Sequence, residues 1–152
     1  MFKRFYHVGV NVSNLERSVA FYEMLGFVKC FESRLDDPQL ATMFGLPRFG
    51  ALRFAMLRLG SEPNGTMLDM CEWLDPPMEG EPLQSLNRLG YPRLCFHVDD
   101  IRATYEKLKS AGVEFFYPLQ FREVGRRPPI GMMFFRDPDG NILEVMDWSD
   151  AP

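Results

Sequence analysis

Two side chains of opposite chemistry stand at matched places in this sequence, His7 and Arg93. An imidazole can move a proton or ligate a metal near neutral pH. A guanidinium stays charged, cannot become a metal ligand, and grips carboxylates through a planar fork of donors. Two more polar residues, Asn11 and His97, follow four positions behind them. The correspondence comes from an internal repeat. His7-Val8-Gly9-Val10-Asn11-Val12-Ser13-Asn14-Leu15 returns 86 residues later as Arg93-Leu94-Cys95-Phe96-His97-Val98-Asp99-Asp100-Ile101.

The elements that must position these residues can be read around them. Each copy is a strand running into a helix, and the offset holds from Leu15 and Ile101 to Gly26 and Gly112. Ser13 with Glu16 predicts a capping box on the first helix, and Asp99 predicts the cap of the second. Gly26 and Gly112 supply left-handed stops. Leu15, Val19, Tyr22 and Leu25 form one apolar stripe, as Ile101, Tyr105 and Leu108 do in the copy, so each helix must cover a sheet. Strand-like runs follow at Phe27–Arg34, Phe49–Leu59 and Thr66–Trp73, then at Val113–Phe121, Ile130–Arg136 and Asn141–Trp148. The expected fold class is α+β, two βαβββ modules in a single domain over 1–152. Module one covers 1–73, a linker containing Pro76 and Pro77 covers 74–90, and module two covers 91–148. Asp36–Pro47 is expected to hold a short helix or a flap.

Alternation assigns the faces. Val8, Val10 and Val12 meet the helix, which turns Phe5, His7, Gly9 and Asn11 the other way; in the copy Leu94, Phe96 and Val98 leave Arg93, Cys95 and His97 opposite. Polar groups on a covered sheet face need partners, and a sheet-lined cup is where they would find them. His97 lies on the Arg93 face but roughly 13 Å further along, which suits a histidine satisfied by a nearby backbone group.

Composition narrows the function classes. At 152 residues and 17.6 kDa the chain has the size of one domain, with 46% hydrophobic and 25% charged residues, as in ordinary globular proteins. A formal charge of −4, with only Arg126 and Arg127 as a basic pair, argues against a nucleic-acid partner. No apolar run is long enough to span a membrane, and the N-terminus does not read as a signal peptide, so a cytoplasmic location is expected. Cys30, Cys71 and Cys95 show no CxxC spacing and suit reduced thiols acting as small apolar fillers.

The stretches HVGVNVSNLERSVAFYEMLGF at 7–27, FHVDDIRATYEKLKSAGVEF at 96–115 and FFRDPDGNILEVMDW at 134–148 resemble the vicinal oxygen chelate superfamily, which includes glyoxalases, bleomycin resistance proteins and extradiol dioxygenases. The resemblance implies a cup in which metal-dependent members hold a divalent ion by one residue from each of four strands. Carried over, those residues are His7, Asp69, Arg93 and Glu144, with MLDMCEW standing where ILEVMDW stands in the second module. Arg93 departs from the ligand set. Either His7, Asp69 and Glu144 hold Mn, Fe, Co, Ni, Mg or Zn, or no metal binds and Arg93 takes the cationic role, bridging the acids or gripping a substrate carboxylate. Arg93 favours the metal-free arrangement. Trp73 and Trp148 are expected as cup walls, extended by Met133 and Phe135 and by Met67, Ile142 and Met146.

The leading expectation is a lyase or isomerase acting on a small molecule. Glu144, helped by Asp69, would remove a proton next to a carbonyl, with His7 and Arg93 beside it and Asn11 and His97 available to the substrate. The alternatives are a metal-free protein that binds a drug or hydrophobic ligand and an extradiol-type dioxygenase, which needs a second histidine on iron where Arg93 stands. A homodimer is expected, because open sheet edges tend to be closed by pairing modules.

Overall fold

The first repeat folds as β1 (His7–Asn11), α1 (Leu15–Met24), β2 (Phe27–Leu35), the one-turn helix α2 (Leu40–Phe44), β3 (Ala51–Leu59) and β4 (Met67–Asp75). The second folds as β5 (Arg93–His97), α3 (Ile101–Ser110), β6 (Phe115–Val124), β7 (Arg127–Arg136) and β8 (Ile142–Asp147). This is a computed structural model, and it describes residues 1–61, 65–125 and 127–148; Arg126 of the short basic pair lies outside them. The chain divides into two units, Met1–Gly80 and Glu81–Pro152.

Each unit has its own four-stranded mixed sheet, ordered β1-β4-β3-β2 in the first and β5-β8-β7-β6 in the second. In both, the first strand lies parallel beside the last, and the other neighbours are antiparallel. A parallel pair cannot be joined by a tight turn, so the helix and two strands between them form the crossover. None of the described helices is long and apolar enough to cross a membrane.

The helices start one residue later than the sequence suggests. Asn14, not Ser13, caps α1, its Oδ1 accepting from Arg17 N at 2.8 Å, and Asp100, not Asp99, caps α3, accepting from Ala103 N at 2.9 Å. The ladders explain the shift, because Val12 N still donates to Cys71 O and Val98 N to Met146 O, holding the chain extended past each strand. Ser13 Oγ accepts from Arg17 Nη2 instead, and Glu16 turns to Arg53. Both helices end as expected, at Gly26 (φ 101°) and Gly112 (φ 79°), in a region that L side chains enter at a cost.

In the first unit Leu15, Val19 and Tyr22 of α1 are buried with Val10, Leu57, Leu68 and Met70 of the sheet. Each such side chain stabilises by about 1.5–3 kcal/mol relative to exposure. Arg53 of β3 ties the layers together, donating to Glu16 of α1, to Glu72 of β4 at 3.1 Å and to Glu32 of β2 at 3.3 Å. In the second unit Ile101 and Leu108 of α3 are buried with Met133, Phe135, Leu143 and Val145. Here α3 comes so near β7 that a Cβ on Gly131 would lie 2.7 Å from Ile101 Cγ2.

Candidate functional site

In the first unit, the β1/β4 register sets His7 opposite Met67 and Gly9 opposite Asp69. His7 and Asp69 are therefore diagonal neighbours on the face away from α1, with His7 Nε2 3.9 Å from Asp69 Oδ2. That separation is too long for a hydrogen bond but close enough for a protonated imidazole to attract the carboxylate. Further along the same face, Trp73 Nε1 donates to Asn11 Oδ1 at 2.9 Å. The indole also packs edge-on against Phe44 and Phe49, with centroids 5.7 and 6.1 Å away, so α2 and the segment after it wall this end of the sheet.

The second unit repeats the register: Arg93 faces Ile142 and Cys95 faces Glu144. Arg93 Nε donates to Glu144 Oε2, joining a carboxylate whose side chain is 5% exposed to a guanidinium side chain that is 41% exposed. The DPDG turn aims the acid. Buried Asp137 accepts from Asp139 N at 3.0 Å, from Asn141 N at 2.8 Å and from Asn141 Nδ2 at 2.9 Å, which closes the hairpin and sets where β8 begins. His97 Nε2 lies 3.2 Å from the backbone oxygen of Trp148, so this imidazole has a backbone partner at the far end of β8.

The lining expected from β7 needs correction. Met133 and Phe135 lie opposite Val145 and Leu143, on the α3 side of the sheet, and both are 0% exposed. Phe135 meets Phe115, which stacks on Tyr105 of α3. They are core residues. The neighbour of Glu144 across β7 is Phe134, with half-buried Met132 opposite Met146 on the same face. Counting back through the DPDG hairpin from Glu144 would have found them. Trp148 stands just past β8 and is exposed, whereas Trp73 lies within β4 and is half-buried.

Among the described residues, no group of three or more His, Cys, Asp or Glu is placed to hold a metal ion. The donor chemistry points the same way in the second unit, where Arg93 occupies the fourth ligand place and its charge is engaged with Glu144. The residues present do not fit the four-ligand pattern. The thiols beside the acids are held protonated. Burial, with the Asp69 carboxylate 3.5 Å away, pushes Cys71 up to about 12, and partial burial, with the Glu144 charge, pushes Cys95 up to about 11. Neither is an activated nucleophile.

A family model described as the Glyoxalase/Bleomycin resistance protein/Dioxygenase superfamily matches residues 4–145. Among solved structures, a glyoxalase family protein from Bacillus cereus superposes with a TM-score of 0.80 at 20% identity, covering 97% of this chain and 95% of that one. A glyoxalase family protein from Enterococcus faecalis gives 0.68 at 28% identity, covering 96% and 98%. The trypanothione-dependent glyoxalase I of Leishmania major gives 0.62 at 20% identity, covering 96% and 87%. No curated protein sequence matches the chain.

Proposed function

The chain belongs to the glyoxalase/bleomycin resistance protein/dioxygenase superfamily, and from that premise we propose that it is a lyase or isomerase in which Glu144 removes a proton next to a carbonyl of a small molecule. The observation that carries this reading is the pairing of a nearly buried carboxylate with a half-open guanidinium, Glu144 with Arg93. In the resting pair the guanidinium neutralises the acid. When Glu144 takes the proton, the C–H electron pair moves into the carbonyl group and leaves negative charge on its oxygen. The acid is now neutral, and the charge of Arg93 turns to that oxygen. One cation thus serves both states, so no unbalanced charge develops in a poorly solvated place.

In this proposal Arg93 does the electrostatic work of the divalent ion in metal-dependent relatives, and no step passes through a metal. On the first unit's sheet His7 and Asp69 form a second acid–base pair, with Asn11 and Trp73 as proposed ligand contacts; on the second unit's sheet His97 and Trp148 are proposed contacts for the substrate of Glu144. The free thiols accord with the proposed cytoplasmic location. The outer strands of the two sheets, β1 and β2 in one and β5 and β6 in the other, support a homodimer, which sedimentation at micromolar concentration would detect.

The test is solvent deuterium entering a panel of small 2-oxo acids and 2-hydroxy ketones. Glu144→Gln is nearly isosteric and still hydrogen-bonds, but it cannot accept a proton, so exchange should fall by about 10²–10⁴-fold with the melting transition retained. Exchange at the wild-type rate would remove Glu144 from the chemistry. The second reading, a metal-free ligand-binding protein, is favoured by the same pair being mutually satisfied without a ligand. It predicts tight binding with no exchange.

A further inference from the structure

Row by row, the two sheets carry equivalent positions. Arg58 on β3 lies opposite Met67, the neighbour of His7, while Arg136 on β7 lies opposite Ile142, the neighbour of Arg93. The two arginines hold the same place but are provided for differently. Arg136 donates to the backbone oxygens of Gly140 and Gln84 and lies 4.8 Å over the Phe116 ring. Among the described residues Arg58 has no counterpart to these contacts. Its Nε is shut off from solvent without a hydrogen-bond partner, the only such side-chain atom among the described residues. An unmet buried donor destabilises, more so on a charged group, and an arriving acceptor that draws the guanidinium round would relieve it.

Space for such an acceptor opens on the same face. Gly9 sits between His7 and Asn11, opposite Asp69, and a Cβ added there would meet nothing within 4 Å. The matched place in the second sheet holds Cys95. On β3 the positions next to Arg58 on this face are apolar. Met56 and Phe54 follow it on β3, and the Phe31 ring meets Phe54 at 5.6 Å. Asp69 lies one row away and would repel an anion laid over it. A head group is therefore confined to the Arg58–Met67–His7 row, while an uncharged body takes the open space above Gly9, beside Asp69 rather than over it.

We infer that this face of the first unit binds a small carboxylate with an apolar body, its head gripped by Arg58 and its body seated over Gly9. The inference does not depend on Glu144 chemistry, because it concerns binding and can be read without turnover.

Calorimetric titration with benzoate, benzamide and inorganic phosphate tests it. Benzoate should bind saturably, with benzamide at least tenfold weaker because it lacks the charge and phosphate at least tenfold weaker because it lacks the body and carries more charge towards Asp69. Arg58→Met and Gly9→Val should each weaken benzoate at least tenfold while melting no lower than the wild type, and Arg58→Lys, which keeps the charge but loses the fork, should fall between in affinity. If Arg58→Met does not fold, Arg58→Lys and Gly9→Val decide. Benzamide binding as well as benzoate, wild-type affinity in Gly9→Val and the Arg58 variants, or no benzoate binding at millimolar concentration would overturn the site. Phosphate binding as tightly as benzoate would overturn the assignment to apolar carboxylates.

Discussion

Arg93 Nε donates to Glu144 Oε2 across 51 residues of sequence, because β5 and β8 run parallel with Arg93 opposite Ile142 and Glu144 opposite Cys95. The acid is buried and the base half open, so removing either partner has a different cost.

Arg93→Met should destabilise the fold by about 1–3 kcal/mol, since it strands a buried carboxylate that water reaches only in part. Adding Glu144→Gln to that variant should recover part of the loss. A double-mutant cycle from denaturant unfolding measures this, and additive effects would mean that the pair contributes nothing to stability.

Chelation separates the two cationic arrangements. Protein purified without added metal should hold well under one divalent ion per chain and exchange deuterium at the same rate in excess EDTA. A stoichiometric ion, with activity lost on chelation and restored by Mn, Fe, Co or Ni, would overturn the metal-free arrangement.

Gly131→Ala tests the close approach of α3 to β7. The new methyl would meet Ile101 at 2.7 Å and Phe121 at 3.1 Å, so either the helix must lift or Ile101 must leave its rotamer. A loss of about 1–3 kcal/mol is expected from unfolding titrations, as for other overpacked cores. A neutral result would place α3 further from the sheet.

Acid should loosen the first unit through Arg53. Its guanidinium holds Glu16 below the usual carboxylate value of 4.5, and Lys29, then Arg53, hold Glu32 below it. Folded-state values below the unfolded ones give stability that is present above about pH 4.5 and lost as pH falls through the lowered values. Arg53→Met removes most of this shift for Glu16 and part of it for Glu32, so its melting temperature should fall less steeply below pH 4.5 than that of the wild type. Parallel pH profiles would count against the network.

Much of this arrangement was legible in the sequence, because the repeat is written in residue types that local physics can read. Apolar periodicity of two and then of 3.6 marks each strand and helix, and glycine marks each exit. The constant offset makes His7 and Arg93 equivalent before any coordinates exist. The helix starts were misread by one residue because Ser13 and Asn14, like Asp99 and Asp100, are both competent caps. The choice between them depends on how far the parallel ladder holds the preceding strand. The face of β7 needs the turn as well as the strand, since Met132, Met133, Phe134 and Phe135 are all apolar and alternation separates them without saying which pair meets the helix until the register is counted through the DPDG hairpin from Glu144. The approach of Ile101 to Gly131 agrees with that count, placing Met133 and Phe135 under α3 and leaving Phe134 beside Glu144. A different limit applies to Arg58. Its chemistry is visible in the sequence, but that its Nε lacks a partner among the described residues depends on what the fold brings near it, and that is a tertiary property.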